Sequence, residues 1–196
     1  MIIKSDENKI VEALSSGKVL AIKTDTVYGL ICDAYNKYAT DKIYRVKQRE
    51  AKKPLSIFVK SKDDVEKYVD KNVLTDKVFN IMKMYWPGAL TIVLKKKNEL
   101  LDNITCGLDS IGIRMPNDTL LLSVLNKIDF PLAQTSCNIS GEKEYKDIHT
   151  IDEKFGNEID YIIDGGEIIN SIASTVIEVD NDHIKVLRQG VISIDE

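Results

Sequence analysis

The sequence contains no long apolar stretch. Charged residues interrupt every apolar segment, so no run approaches the roughly 18 residues that a membrane-spanning helix needs. The N-terminal segment MIIKSDENKI also lacks the apolar centre of a signal peptide. We therefore expect a cytoplasmic protein with no membrane partner.

Cysteine and histidine are scarce. The 3 cysteines, Cys32, Cys106 and Cys137, are odd in number and widely spaced, which favours free thiols over a disulfide framework. The 2 histidines lie far apart in sequence, so a zinc site built from His and Cys pairs is not expected. We predict no protein-ligated metal site.

Glycine, proline and excess positive charge are also limited. With 10 Gly and 4 Pro the chain is not collagen-like or of low complexity, and 43% hydrophobic residues exclude a disordered chain. Its 196 residues predict a single domain over 1–196, at roughly 150 residues per domain. The net charge of −4 gives no bulk attraction to nucleic acid, so particular Lys and Arg residues would have to bind any anionic ligand.

Apolar periodicity and turn residues predict an irregular alternation of helices and strands. This irregularity favours a mixed α/β or α+β sheet over a strictly doubly wound one. Asn117 is expected to cap the helix that follows it. The predicted helices are 6–16, 38–48, 62–70, 74–85, 118–127 and a short one at 148–154. The predicted strands are 19–24, 55–59, 89–95, 110–115, 131–136, 161–166, 174–179 and 183–188.

Common catalytic motifs are absent: there is no GxxxxGK[ST], GxGxxG, HExxH or GxSxG. Polar residues do stand at strand ends and turns, where α/β proteins place ligand sites. TDTVYGL (24–30) could present hydroxyls to a ligand, or could form a plain turn that bonds to its own backbone. Lys47 and Arg49, with Lys52 and Lys53, could hold a polyphosphate or could be a solvated helix end.

Two strand segments carry further candidates. Ser110, Gly112 and Arg114 share one strand face, so Arg114 could meet a carboxylate or phosphate, or form a surface ion pair. Ser136 and Asn138 should point one way and Cys137 the other, which predicts a packed thiol rather than a nucleophile. The segments 173–175 and 187–190 are unremarkable alone.

Taken together and in order, these segments resemble the YrdC-like family, the threonylcarbamoyl-AMP synthases. The resemblance covers residues from about 6 to 190. The matching segments are TDTVYGL (24–30), KQR (47–49), KPLSIFV (53–59), WPGALTIVL (86–94), IGIRMP (111–116), SCN (136–138), IDGG (163–166), STVIEV (174–179) and LRQG (187–190).

The resemblance implies a twisted mixed α/β sheet flanked by helices around a large, open, electropositive cleft. It implies condensation of L-threonine, bicarbonate or CO₂, and ATP with Mg²⁺ into threonylcarbamoyl-AMP and pyrophosphate. That product serves N6-threonylcarbamoyladenosine modification of tRNA, so a downstream tRNA threonylcarbamoyl transferase complex is the implied partner.

The resemblance also implies residue roles, with Lys47 and Arg49 as the catalytic pair. The implied ATP-binding residues are Lys47, Arg49, Lys53, Ser110, Ser136, Asn138 and Arg188. The implied threonine-binding residues are Thr26, Tyr28, Arg114 and Ser174.

Two other interpretations remain open. The first is a non-catalytic module of the same fold that binds RNA or ribosomes through the cleft, and weak RNA binding is also compatible with a synthase. The net charge of −4 weighs against this module, because backbone binding depends on many Lys and Arg contacts. The second is the carbamoyl-adenylating domain of hydrogenase maturation proteins, which occurs in larger chains.

Overall fold

The computed structural model of the protein describes residues 1–97, 101–169, 172–180 and 183–194. The strands within these ranges are β1 (Ile2–Lys4), β2 (Leu20–Ile22), β3 (Gly29–Asp33), β4 (Ser56–Phe58), β5 (Leu90–Lys95), β6 (Ser110–Arg114), β7 (Leu132–Ser136), β8 (Tyr161–Asp164), β9 (Thr175–Asp180) and β10 (His183–Arg188). The helices there are α1 (Glu7–Ser15), α2 (Lys37–Val46), α3 (Asp76–Tyr85), α4 (Asp102–Thr105), α5 (Thr119–Lys127) and α6 (Ile148–Phe155).

All of these strands join one mixed sheet in the order β1-β8-β2-β3-β7-β4-β6-β5-β9-β10. The pairs β4–β6, β5–β9, β1–β8 and β2–β8 are parallel, and the other neighbouring pairs are antiparallel. The prediction of a mixed α/β sheet flanked by helices is therefore confirmed.

The two faces of the sheet are covered unequally. Helices α2, α3, α4 and α6 pack on one face, against residues such as Ile57, Ile113 and Ile177. Helices α1 and α5 cover only part of the other face, where they pack on residues such as Leu20 and Leu132. Because strand side chains alternate between faces, the uncovered part of this second face presents alternate residues of β7, β4, β6, β5 and β9 to an open cleft.

Side-chain caps fix where the longer helices begin. The side chains of Asp6, Asn36, Thr75, Asp118 and Asp147 each accept a hydrogen bond from a backbone N–H three residues later. The cap of α5 is therefore Asp118. The expectation that Asn117 caps this helix was wrong. The backbone N–H of Asn117 instead donates to Asp25.

The structure corrects three further expectations. Strand β3 begins at Gly29, inside the segment 24–30, and was not among the predicted strands. Strand β1 and helix α4 were not predicted, since three or four residues are too few to show a period. The predicted helix at 62–70 is two short 3₁₀ helices, Asp63–Lys67 and Lys71–Val73.

The part of the chain that the structure describes contains no helix long and apolar enough to cross a membrane.

The first prediction concerns how much the core on the fully covered face contributes to the stability of the protein. Ile57 on β4 is fully buried, so Ile57→Ala should lower the free energy of unfolding by about 2–5 kcal/mol through lost burial and a residual cavity. Urea denaturation measures this change. Tyr38→Ala is the control, because Tyr38 is 90% exposed and its loss should cost no more than about 0.5 kcal/mol. Equal losses in both variants would contradict the described packing.

Candidate functional site

The open part of the sheet forms the floor of a cavity of about 750 Å³. Neighbouring strands contribute one residue each to a cross-strand row on this floor. The row runs through Gln134, Ser56, Gly112, Val93 and Glu178. A cleft of this size and shape suits a small-molecule ligand.

Gly112 places no side chain at the middle of the cavity floor. A Cβ atom at this position would lie 3.1 Å from Cβ of Ser56 and 3.3 Å from Cγ2 of Thr91. Its neighbours would have to move for any side chain to fit. The glycine therefore leaves room for a ligand against the sheet.

Arg114 is anchored on several sides at the end of β6, and only 3% of it is exposed. Its Nε donates to the carbonyl of Gly88 at 2.8 Å, and its Nη1 donates to Oγ1 of Thr26 at 3.0 Å. Its Nη2 forms an ion pair with Asp25 at 2.6 Å, and the guanidinium lies over the ring of Phe58. Since an arginine carries five N–H donors, two remain available to a ligand in the cavity.

The hydroxyl of Thr26 lines the cavity beside Arg114 and belongs to a local network with Thr24. Oγ1 of Thr24 accepts from the backbone N–H groups of Thr26 and Val27 and donates to the carbonyl of Val27. A hydroxyl has one proton, so Thr24 has none left to donate. Thr26 accepts from Arg114, and its Oγ1 lies 3.1 Å from Oγ1 of Thr24, to which its own O–H points when no ligand is bound.

A second group of donors lies where β9 begins and β10 ends. The guanidinium of Arg188 donates to the carbonyl and to Oγ of Ser174 through Nε and Nη2. Oγ of Ser174 lies 3.1 Å from Oγ1 of Thr91. One of the two hydroxyls donates to the other, so the O–H of the second hydroxyl has no acceptor within this pair. Both protons on Nη1 of Arg188 are likewise available to a ligand.

Arg49 and Lys53 lie on the opposite wall of the cavity. Arg49 donates from Nε to the carbonyl of Lys53 and from Nη2 to that of Pro54, both at 2.9 Å. These bonds fix the guanidinium and leave three N–H groups unused. Lys53 forms an ion pair with Glu50 at 2.8 Å.

Lys47 does not line the cavity, although it is two residues from Arg49. Gln48 has a φ of 50°, and this left-handed turn sends the two cationic side chains in different directions. Nζ of Lys47 donates to the carbonyls of Ser136 and Asn138 and to Oδ1 of Asn138, and only 1% of the residue is exposed. Lys47 therefore holds the turn after β7 from behind.

Asn138 and Tyr28 also lie outside the cavity lining. Asn138 accepts from Oγ of Ser136 at 2.7 Å and donates to the carbonyl of Glu142, so it fixes the rotamer of Ser136. Oη of Tyr28 donates to the carbonyl of Gly166 at 2.8 Å. The other residues that the sequence singled out do line the cavity: Thr26, Arg49, Lys53, Ser110, Arg114, Ser136, Ser174 and Arg188.

The thiol of Cys137 is fully buried, and burial raises its pKa to about 12. The prediction of a packed thiol is confirmed. Sequence reasoning missed Asp25, Thr91 and Glu178. Asp25 stands inside the TDTVYGL segment, and the other two share the alternating pattern of their strands, which is too common to single them out.

The electrostatics of the cavity favour an anion. Burial lowers the pKa values of Arg49, Arg114 and Arg188, and the charge of Arg188 lowers that of Arg114 further. Three guanidinium groups with unused N–H donors thus face one space. Among the described residues, no group of three His, Cys, Asp or Glu side chains could hold a metal ion. The donors suit carboxylate and phosphate groups.

Comparison with known proteins decides the family. The Sua5/YciO/YrdC family model, which carries the description "Telomere recombination", matches residues 12–190. The chain belongs to the Sua5/YciO/YrdC family. The segments that carried the resemblance are therefore those of a true family member.

Three similar proteins illustrate how far this membership extends. The "Putative threonylcarbamoyl-AMP synthase" of Methanocaldococcus jannaschii is 38% identical over 98% of this chain and 91% of its own length. The threonylcarbamoyl-AMP synthase of Pyrococcus abyssi is 35% identical over 93% of this chain, which spans only 53% of that relative. The crystal structure of P. abyssi Sua5 complexed with L-threonine has a TM-score of 0.89 and 34% identity, over 97% of this chain and 57% of that one.

The burial of Lys47 predicts how anion binding depends on pH. Desolvation, and next the charge of Arg49, lower the pKa of Lys47 to about 8. Above that pH a neutral amine offers two N–H groups to three acceptors, so the turn that carries Ser136 should loosen. We expect the affinity for pyrophosphate, measured by calorimetry, to fall as the pH rises through about 8.

Cys137→Ala is the control for this prediction. It removes the neighbouring titratable thiol and should leave the decline in place. An affinity that stays flat between pH 7 and 10, or a decline that disappears in the Cys137 variant, would contradict the role of Lys47.

Proposed function

We propose that this chain is an L-threonylcarbamoyladenylate synthase. It condenses L-threonine, bicarbonate or CO₂, and ATP into threonylcarbamoyl-AMP and pyrophosphate, which makes it a nucleotidyltransferase. The observation that carries the proposal is that three arginines with unused N–H groups and several hydroxyls line one cavity. Relatives that bear the synthase name, and the threonine complex of P. abyssi Sua5, support it.

Threonine binds at the end of the cavity where Arg114 lies. The two unused N–H groups of Arg114 and the O–H of Thr26 hold its carboxylate. The unspent O–H of the Ser174–Thr91 pair bonds a further oxygen of threonine or of its carbamate. Asp25 positions Arg114 and offsets part of its charge, so the guanidinium keeps one orientation while the site is empty.

The reaction needs no protein nucleophile. The threonine amine adds to the carbon of CO₂, a new N–C bond forms, and the amine loses a proton to give a carbamate. A carbamate oxygen then attacks the α-phosphorus of ATP. The bond from this phosphorus to the bridging oxygen breaks, and pyrophosphate leaves with the electron pair of that bond. Catalysis therefore consists of placing the reactants and stabilising negative charge.

The phosphates lie between two walls of the cavity. Arg49 and Lys53 on one side and Arg188 on the other bind the triphosphate, with Ser136 lining the site at the end of β7. Lys47 acts through the turn after β7 as a positioning residue, since all of its contacts are to the turn itself. Ser110 contacts the nucleotide from β6.

Mg²⁺ enters as part of the substrate, bound to the triphosphate. The cavity lining supports this view, because Glu178 is the one carboxylate among its described residues. Mg²⁺ commonly keeps several waters and takes its remaining ligands from substrate phosphates. When bound, the ion neutralises charge on the phosphate oxygens.

The product is a mixed anhydride of a carbamic acid and a phosphate. Such a reactive acyl group must pass quickly to an acceptor. We accordingly propose that a tRNA threonylcarbamoyl transferase complex takes up the product and transfers its threonylcarbamoyl group to adenosine in tRNA.

The test is pyrophosphate release from Mg²⁺–ATP, with and without threonine and bicarbonate, together with a mass spectrum of the quenched mixture. We expect release only when both co-substrates are present, with the mass of threonylcarbamoyl-AMP. Arg49→Ala should lower the rate at least about 10-fold, because each charge-assisted hydrogen bond to a phosphate contributes about 1.5–3 kcal/mol. Lys37→Ala, which alters an exposed ion pair on α2, is the matched control.

Folded protein that binds ATP but releases no pyrophosphate under any combination would contradict the synthase. Salt-sensitive RNA binding by that protein would favour the non-catalytic module. Equal rates for wild type and Arg49→Ala would refute the assignment of the phosphate site.

A further inference from the structure

The cavity differs in character away from Arg114. Along β9, away from Ser174, the lining includes the apolar side chains of Val93, Leu108 and Leu187. One charged group stands among them, the carboxylate of Glu178, which is the single acidic side chain among the described lining residues. The other charged side chains among these lining residues are cations, which suit an anionic ligand. A carboxylate repels such a ligand, so Glu178 is expected to contact a different, uncharged part of it.

The position of Glu178 on β9 is well defined. Ile177 and Val179 on either side of it are buried in the core of the other face, so Glu178 faces the cavity. It lies beside Val93 of β5 and opposite the exposed Lys185 of β10. Within the described part of the chain, no donor lies within hydrogen-bonding distance of its carboxylate and no cation pairs with it.

Its distance from the threonine end matches the length of the proposed product. Glu178 is four residues along β9 from Ser174, and at about 3.3 Å per residue the separation is roughly 13 Å. A ligand that begins at Ser174 and Arg114 with the threonyl group and continues through carbamate and α-phosphate reaches Glu178 with its sugar. The apolar side chains beyond then face the base.

The chemistry of a carboxylate narrows the ligand group further. An ionised carboxylate only accepts hydrogen bonds, and it repels phosphates. The ribose of a nucleotide offers two adjacent hydroxyl donors, which suit the two carboxylate oxygens, and an acidic residue binds the ribose in the same way in dinucleotide-binding folds. Adenine offers only its single amino group.

We propose that Glu178 accepts hydrogen bonds from the 2′- and 3′-hydroxyls of the ATP ribose and thereby selects ribonucleotides over deoxyribonucleotides. This inference rests on the proposed function, since it takes ATP as the nucleotide. It makes Glu178 a specificity-determining residue that contacts the substrate. The sheet register fixes its distance from the reacting phosphate.

Calorimetric titration with ATP, 2′-deoxy-ATP and 3′-deoxy-ATP tests the proposal. Wild type should bind ATP about 10-fold or more tightly than either deoxy analogue, the size expected for one hydrogen bond to a charged group. Glu178→Gln should weaken the binding of ATP, which uses both hydroxyls, about 10-fold more than that of either deoxy analogue, which keeps one hydroxyl, so that the discrimination largely disappears. Glu153→Gln, which removes the same charge from the exposed side of α6, should behave as wild type.

Three results would overturn the proposal. Equal loss of affinity for ATP and for both deoxy analogues in Glu178→Gln would indicate a general electrostatic role, or a role in binding Mg²⁺. Unchanged discrimination in that variant would show that the carboxylate does not contact the ribose. Absence of discrimination in wild type would have the same meaning.

The binding measurement is independent of turnover. A protein that discriminates ATP from 2′-deoxy-ATP through Glu178, yet forms no threonylcarbamoyl-AMP, would refute the synthase and leave the ribose contact intact. A synthase without ribose discrimination would do the reverse. The two proposals can therefore fail separately.

Discussion

The cleft depends on the fixed position of one buried guanidinium. Arg114 links three parts of the chain: the turn after β2 through Asp25 and Thr26, the entry to β5 through Gly88, and β6, on which it stands. A buried cation is costly unless it is paired and hydrogen-bonded, and here an ion pair and two further hydrogen bonds meet that cost. The two donors left over are thereby aimed at one place, where a carboxylate can bind without reorganising the protein.

Hydrogen bonds to the protein also fix the other cationic side chains around the cavity. Protein carbonyls hold Arg49 and Arg188 in place, but these carbonyls do not neutralise their charge. Lys47 is different, because its three acceptors consume its donors and it stabilises a turn rather than a ligand. Arg49 and Arg188 thus face the cavity, where a ligand can bind, whereas Lys47 stabilises the turn after β7. This difference holds although Lys47 and Arg49 are two residues apart in sequence. Glu178 is the one acidic side chain among the described residues of the lining.

Much of the fold follows from local patterns, and the failures have physical reasons. Strands β4, β5, β6 and β7 were predicted from sequence, because apolar or β-branched runs mark β4 and β5, alternation marks β6 and a following turn marks β7. Strand β3 was missed because all but its last residue is buried on both faces, so no period marks it. The cap of α5 was assigned to Asn117 instead of Asp118, because both residue types can cap and the sequence does not fix the first turn to one residue.

The site residues that were predicted from the sequence lie in segments that match the family in the same order along the chain. That resemblance does not distinguish contact from support: the direction of Lys47 depends on the left-handed turn at Gln48, and the direction of Tyr28 depends on its bond to Gly166. Thr91 and Glu178 enter the cavity through strand register, which pairs residues distant in sequence. Register of this kind is a property of the folded sheet and leaves no local mark.

The central claim is that the spare N–H donors of Arg114 and the hydroxyl of Thr26 bind the carboxylate of threonine. The most direct measurement compares the binding of L-threonine and L-threoninamide to the wild-type protein by calorimetry, in the presence of ATP. The two ligands differ only in the group that Arg114 would hold. We predict that threonine binds at least about 10-fold more tightly, since the amide lacks the charge that strengthens these hydrogen bonds. Equal affinities would contradict the account.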